Sequence, residues 1–478
     1  MTAYIDPMEM DFEDCYPVLA AMRRSHPFKV RAWEDAQQRF RSFSDRFIRP
    51  IALEVDRKSR EDHDYLSWDF CRRAAEERLF SVMIPPMFGG QGSDLFVLAL
   101  MFEEMCAACT GLGNVVGAHY LGYSGLAAGM NLDLLGRISE DIVAGEKRGE
   151  PIIMSAAHTE PSAGSDVEDE EMMPKARVVT SAVRKNGGWV LNGQKVFISD
   201  GHFATWHMVS AYRDKKDPLQ SGLGVIVKTG QPGFSMVKHE LKMGQRACPA
   251  STLVFEDCYV PDNMVISEIP EFFERILFVL GASRVGVAAI GTGCARGAFE
   301  HALKLAHTAR YQGRFLIDEQ WVQQILADML ANVMIGRALY ISAGLCGAQN
   351  GMMGIMTNPA LTLLQKLIPD VLLLSPLYQK VLRSSVMSKI MNRAVSRIGL
   401  KNRQRDQAHS SAAKCVATDL AMRNANLALE IAGAAGLEHA AGVEKIFRDA
   451  KLLQIYEGTN QMNRKHLFDS IIARKTTM

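Results

Sequence analysis

Apolar spacing divides the chain into three textures. From Trp33 to Arg57, Phe40, Phe43, Phe47 and Ile51 recur among helix formers, and Pro50 marks a kink or a boundary. Tyr65 to Leu79 reads as a second helix, and Pro85-Pro86 and Gly89-Gly90-Gln91-Gly92 punctuate a loop. Leu95 to Cys109 predicts a long apolar helix. Gly111 to Met130 predicts a glycine-rich one, whose glycines allow close packing of helices or close approach of a ligand. The texture changes at Pro151. Ala176–Lys185, Gly188–Ser199, His207–Tyr212, Gly224–Lys228 and Thr252–Phe255 are short and alternating or β-branched, and Asn186-Gly187-Gly188, Asn192-Gly193 and Pro232-Gly233 lie among them. That pattern predicts antiparallel strands and hairpins. Helical spacing resumes in Phe272–Thr308, read as one long helix or two abutting ones, and again in Gln320–Met329. The expected organisation is a helical domain over 1–150, a β domain over 151–270 and a second helical domain over 271–478.

The last domain is interrupted at about 347–410. Met352–Tyr378 is apolar, with breaks at Pro359, Pro369 and Pro376. Lys380–Arg405 then holds eight Lys/Arg and no acid, with Val381, Val386, Met387, Ile390, Val395 and Ile398 between them. Lys389, Arg393, Arg397 and Lys401 follow one another at i,i+4, along one helical stripe. Such a run suits peripheral contact with an anionic membrane through 380–405. It equally suits a solvated helix over an oligomer interface.

Composition narrows the class. A length of 478 residues is about three domains' worth. At 48% hydrophobic and 22% charged, the chain has the makings of a large core. The net charge of +1 gives no global signal for nucleic acid. No transmembrane helix is expected, because no apolar stretch reaches about 18 uncharged residues. The start, MTAYIDPMEMDFEDC, has neither a basic region nor an apolar run of the secretory kind. The nine cysteines are irregularly spaced. Cys106 and Cys109 form a lone CxxC with too few companions for a metal, and read as buried thiols. No metal site is expected, and a reducing, cytoplasmic setting is the default.

The chemistry centres on Tyr456-Glu457-Gly458-Thr459. An acid directly before a glycine, between a helix end (Ala450–Ile455) and a helix restart (Thr459–Phe468), is held by backbone beside free N–H groups, as a positioned general base requires. On spacing alone, an exposed loop Glu is the alternative. The stretch resembles the C-terminal signature of the acyl-CoA dehydrogenases. Further stretches match that family in order over roughly 80–470. They include Met83–Gly90, the run His158-Thr159-Glu160-Pro161-Ser162-Ala163-Gly164-Ser165-Asp166, Trp189–Ser199 with Phe197 in place of the usual Trp, Met243–Arg246 with Leu253–Pro261, Gln320–Met329, and Leu427–Gly436 with Glu430 in place of Gln.

The resemblance implies an α+β fold: an N-terminal helical domain, a middle β-barrel-like domain and a C-terminal four-helix bundle. It implies an FAD enzyme that converts an acyl-CoA thioester to the trans-2-enoyl-CoA, with Glu457 as catalytic base. Electrons would pass to electron-transfer flavoprotein. Thr159, Ser165, Phe197, Ser199, Arg310, Gly433, Ala434, Thr459 and Gln461 are the expected flavin contacts, Arg310 reaching a neighbouring subunit's pyrophosphate in a homodimer or homotetramer. Ser165, Arg284 and Gly458 are the expected substrate contacts, Arg284 on the CoA tail. Ser283 occupies the position where a few relatives carry their base and is not itself a base. His158, where the family has a small apolar residue, reads as either a substrate contact or a satisfied loop histidine. Two other readings stand beside this one. An acyl-CoA oxidase or flavin monooxygenase on the same fold would hand electrons to oxygen. A nucleic-acid-associated, non-enzymatic member of the fold is disfavoured by the intact Glu457 and the +1 charge.

Overall fold

The computed structural model describes residues 10–267, 272–350, 372 and 375–473. Helices α1 (Pro27–Phe43), α2 (Ala52–Glu61), α3 (Trp68–Glu76), α4 (Leu95–Ala108), α5 (Thr110–Ala128) and α6 (Leu132–Arg148) come first. Trp33–Arg57 falls in two helices, so Pro50 marks a boundary. A wide turn at Ser44–Ile48 and Pro50, which has no N–H to give a ladder, separate them. α4 and α5 are largely apolar, with a few buried polar residues, and are buried on nearly every side, as core helices must be. Asp94 caps α4 by accepting the N–H groups of Phe96 and Val97. The amphipathic α6 is not singled out by its pattern. Asn131 caps its start and left-handed Gly149 ends it.

The middle region holds β1 (Ile153–Ala157), β2 (Ser181–Lys185), β3 (Gly188–Ser199), β4 (Ala204–Tyr212), β5 (Gly222–Lys228), β6 (Phe234–His239), β7 (Ala250–Pro261) and β8 (Val265–Ser267). They form one sheet in the order β6-β7-β3-β2-β4-β5-β8, with β1 paired to β4. The all-antiparallel expectation is corrected here: β1 runs parallel to β4, and β2 touches β4 in parallel at Ser181–Tyr212. The β2–β3 hairpin turns on Asn186 (φ +43°) and Gly187 (φ +75°), the paired left-handed residues of the favoured two-residue turn. β3 loses register with β7 between Lys195 and Ile198, and that bulge holds Phe197 at φ +56°. A bulge re-aims side chains, and here it faces the site.

The third region is built on α7 (Phe272–Thr308), the small hairpin β9 (Arg310–Tyr311) and β10 (Arg314–Phe315), α8 (Gln320–Asn350), α9 (Pro376–Leu382), α10 (Ser385–Ser396), α11 (Leu400–Ala432), α12 (Val443–Leu453) and α13 (Asn460–Leu467). α7, α8 and α11 pack on one another, and α7 also packs on α4 and α5, so one apolar core runs through both helical regions. A second core lies within the sheet. By length and composition alone, α7 and α8 are long and apolar enough to cross a membrane. The apolar window of α7 is 78% buried inside the fold and that of α8 50%, so α7 is a core helix of the bundle.

Regular helix reaches Asn350 in α8 and includes Leu400 onward in α11, and α9 and α10 lie between them. The apolar Met352–Tyr378 run lies outside the described residues up to 371. The expected four-cation stripe is broken, since α10 stops at Ser396 and Lys401 belongs to α11. The remainder sits on the chain's own surface: Ser388 Oγ accepts the Leu132 N–H at 3.2 Å, Arg275 donates to Asn392 at 2.9 Å, and Val395 is fully buried.

Candidate functional site

α12 ends at Leu453, and α13 starts at Asn460 with Thr459 accepting the Met462 N–H at 3.2 Å. The link between them passes through two left-handed residues, Glu457 (φ +56°) and Gly458 (φ +72°). A non-glycine residue held there costs on the order of 1–3 kcal/mol and persists only where its surroundings over-determine it. They do. Lys414 Nζ and Asn463 Nδ2 each donate to the Gly458 carbonyl at 2.8 Å, the Thr459 N–H donates to Ser165 Oγ at 3.1 Å, and the Asn460 N–H donates to the Gln454 carbonyl at 3.0 Å. Position 458 admits no side chain. A Cβ there would lie 2.6 Å from a Glu168 oxygen and 3.0 Å from the Arg284 guanidinium.

The Glu457 carboxylate accepts the Ser283 hydroxyl at 2.6 Å. Burial raises its pKa above the ordinary carboxylate value, while the Ser283 bond, Arg284 and Lys414 pull it back. Arg284 is wholly enclosed. It donates to Glu168 (3.1 Å), Ser411 (3.0 Å) and the Glu457 carbonyl (3.4 Å), and shares a contact with His466 Nδ1 (3.0 Å). A CoA-tail contact is expected of Arg284, and here its guanidinium is turned to the protein's own groups. With 0% exposure it positions the Glu457 loop from behind. Burial pushes Glu168 up to about 7 against the pull of Arg284, and burial with the repulsion of Arg284 brings Lys414 down to about 7.

Two cavities meet at Glu457. One, of about 150 Å³, is almost wholly apolar and runs between α4, α5 and α7, past Leu98, Phe102, Leu121 and Val287. The other, of about 440 Å³, lies between the sheet and the catalytic loop and is lined by Thr159, Ser165, Phe197, Ser199, Gly458 and Thr459, among others. Ser199, Tyr456 and Glu457 line both. Phe197 leaves its bulge 59% exposed, an aromatic face with no ring stacked on it among the described residues. His158 shares a 2.6 Å bond between Nδ1 and Ser210 Oγ, whereas its Nε2 is buried without a partner among the described residues. Burial and the nearby Lys195 lower its pKa to about 3, so the ring is neutral. Half-satisfied, His158 fits neither expectation completely. Glu160, the other acid of its loop, is committed to Lys195 Nζ at 2.7 Å and to the Val179 and Thr180 N–H groups.

The structure thus brings together Glu457, Thr159, Ser165, Phe197, Ser199, Gly458 and Thr459. It does not bring Arg310, Gly433, Ala434 or Gln461 into either cavity; all four are exposed. Arg310 donates to the Gly313 carbonyl at 2.9 Å and lies 3.8 Å from the Phe315 ring, so an aromatic supports it. Gly433, at φ +60° and ψ −150°, ends α11 in a conformation open to glycine alone. Sequence reasoning missed Glu168, Lys414, Asn463 and His466. Lys414 had a signal, a single charge among the small residues SSAAKCVAT. Glu168 had none, because it stands in the acidic run DVEDEE.

Comparison with known proteins agrees along the length of the chain. The model of the acyl-CoA dehydrogenase N-terminal domain matches 32–135, that of the middle domain 155–258, and that of the C-terminal domain 273–353 and 364–472. The chain is 27% identical over 432 residues to the probable acyl-CoA dehydrogenase FadE25 of Mycobacterium tuberculosis, covering 90% of this chain and 93% of that protein. Among solved structures, it is similar to the electron transferring flavoprotein of Acidaminococcus fermentans studied for flavin-based electron bifurcation (TM-score 0.72, 25% identity, 92% of this chain and 98% of that one). It shares its fold with butyryl-CoA dehydrogenase of Megasphaera elsdenii (TM-score 0.71, 23% identity, 92% and 98%).

Proposed function

The chain belongs to the acyl-CoA dehydrogenase family, and on that premise we propose that it desaturates an acyl-CoA thioester between Cα and Cβ, giving the trans-2-enoyl-CoA. One observation carries the reading: Glu457 lines both the apolar cavity and the cleft beside it. An acyl chain buried in the first leaves its thioester end at the carboxylate, and the strained, hydrogen-bonded loop fixes where that carboxylate stands.

Family members use FAD, which when bound supplies the acceptor for the hydride lost from Cβ. The residues present fit it. Thr159, Ser165 and Ser199 offer hydroxyls, Phe197 an uncovered aromatic face and His158 an unspent ring nitrogen, all in one cleft. The ionised Glu457 takes the α-proton, and its raised pKa makes it a stronger base than an exposed glutamate. The α-proton is acidic enough only if the thioester carbonyl is hydrogen-bonded as negative charge develops. The Glu457 N–H donates to no acceptor among the described residues and is available for that bond. Ser283 holds one carboxylate oxygen and steers the other. Delivery of the electrons to electron-transfer flavoprotein, and a homo-oligomer in which exposed Arg310 and Gly433 meet a neighbour's cofactor, belong to the same proposal.

The test is anaerobic mixing of the FAD-loaded protein with a panel of CoA esters of graded chain length. At least one should bleach the flavin band and yield enoyl-CoA once an artificial acceptor is added. Protein that takes up no FAD, or a flavin that no CoA ester bleaches, would overturn the reading. Rapid oxygen consumption without the acceptor would replace it with the oxidase alternative.

A further inference from the structure

We propose that the outer face of α9 and α10 is a docking surface for an anionic lipid bilayer. Both helices are short, and both present large aliphatic residues to the outside. Leu377 is 76% exposed, Val381 55%, Val386 64% and Ile390 51%. On α10, Val386, Lys389, Ile390 and Arg393 stand at i, i+3, i+4 and i+7, one continuous face that Arg397 extends at i+11. The inner face is accounted for separately by Ser388, Asn392 and Val395, which meet α6 and α7. The exposed aliphatics are therefore not side chains displaced from the core. They form a second apolar face on helices already seated.

The charge on this face has one sign. Residues 380–405 contain no acid. Arg383 and Arg403 are engaged by Glu140 and Glu274. Lys380, Lys389, Arg393 and Arg397 are exposed and meet no acid among the described residues. Lys389, Arg393 and Arg397 border one open hollow of about 420 Å³ with Asn392 and Ser396, where the polar groups suit phosphate. An ordinary solvated face would mix both signs and show few aliphatics. A subunit contact with its two-fold axis through this face would set these cations against copies of themselves, and like charges repel. Aliphatics interleaved with unpaired cations match the boundary between lipid phosphates and acyl chains.

The test is co-sedimentation of the full-length FAD-loaded protein with vesicles of phosphatidylcholine alone or mixed with phosphatidylglycerol. Binding is expected only to the mixed vesicles and should weaken as salt rises. The variant K389E/R393E/R397E should lower partitioning at least about tenfold, and V386S/I390S should lower it at every salt concentration. Both sets lie on the surface away from the catalytic loop, so flavin bleaching and molecular mass should stay as in the parent. No pelleting with anionic vesicles at low salt overturns the proposal, as does pelleting that ignores lipid charge. A change of oligomer mass in either variant assigns the face to a subunit contact instead.

Discussion

Two clusters of buried carboxylates and guanidinium groups each draw an arginine from α7, and they behave oppositely. On α4, Glu104 accepts both Arg296 Nη atoms (3.0 and 2.7 Å) and Gln37 Nε2 (2.8 Å), with Arg41 alongside, while Glu103 accepts Arg337 (2.8 Å) and the Tyr340 hydroxyl (2.9 Å). Burial pushes Glu104 up, but Arg296 and Arg41 outweigh it and hold the group at about 2. Around Glu457 the same residue types are spread thinner. Arg284 divides its donors among Glu168, Ser411, His466 and a carbonyl, and Lys414 spends its donors on Gly458 and Asn460. Burial then wins, and Glu168 and Glu457 both rise. A carboxylate given several dedicated donors is locked as an anion. One that shares a donor with backbone stays able to exchange a proton. The first arrangement joins helices, and the second supplies a base.

The largest expected effect comes from breaking the working cluster at its acid. Glu457→Gln keeps the shape and removes basicity, so flavin reduction by acyl-CoA should fall about 10²–10⁴-fold with FAD retained, read by stopped-flow absorbance. Near-parental reduction would place the base elsewhere. Breaking the locked cluster should do the converse. Glu104→Ala removes the acceptor that Arg296 and Arg41 share, a loss of about 3–5 kcal/mol in urea unfolding. Whatever remains folded should still reduce its flavin at close to the parental rate. If this variant were as stable as the parent, the α4 cluster would not be holding the helices.

pH sharpens the contrast because the two signs differ. Glu104 is depressed to about 2 from 4.5, so its contribution to stability is complete above 4.5 and is lost as pH falls through about 2. The stability gap between the parent and Glu104→Gln should therefore close on acidification. Glu168 is raised to about 7 from 4.5, so its contribution is complete below 4.5 and is lost as pH rises through about 7. Glu168→Gln should flatten the stability curve across that interval, measured by urea midpoints. A curve parallel to the parent's would mean that Glu168 does not titrate there.

The difference between the clusters also explains what was legible in the sequence. Glu457 was readable because Tyr456-Glu457-Gly458-Thr459 resembles a family signature; its spacing alone also fitted an exposed loop Glu. The strand residues Phe197 and Ser199 were readable from alternation and turn chemistry, but the bulge that aims them depends on β7, more than fifty residues away. The long apolar helices were readable because helical spacing is local. Glu103 and Glu104 were invisible as a cluster, since their partners Arg296 and Arg337 come from two other helices. Arg284 was read as a ligand contact from the family resemblance, which does not show what encloses the side chain. The parallel β1–β4 pair was missed because it joins strands through a long connection that no turn signature marks.

The smallest effect expected is at Ser283, where the two kinds of cluster come closest. Its hydroxyl is the one side-chain hydrogen bond to the Glu457 carboxylate among the described residues, so it acts toward Glu457 as Gln37 does toward Glu104. Burial raises Glu457, and the Ser283 bond lowers it. Removing that bond with Ser283→Ala leaves burial less opposed, so the pKa should move further up. The base must be ionised to accept the α-proton, so the acid limb of flavin reduction should shift to higher pH. The plateau above it should fall only modestly, because the loop is held chiefly by Lys414, Asn463 and Arg284. The cost in stability should be about 1 kcal/mol, the usual worth of one hydrogen bond. Reduction rates measured against pH for the parent and Ser283→Ala decide it. A limb that stays where it was, or moves down, would show that Ser283 orients the carboxylate without tuning it.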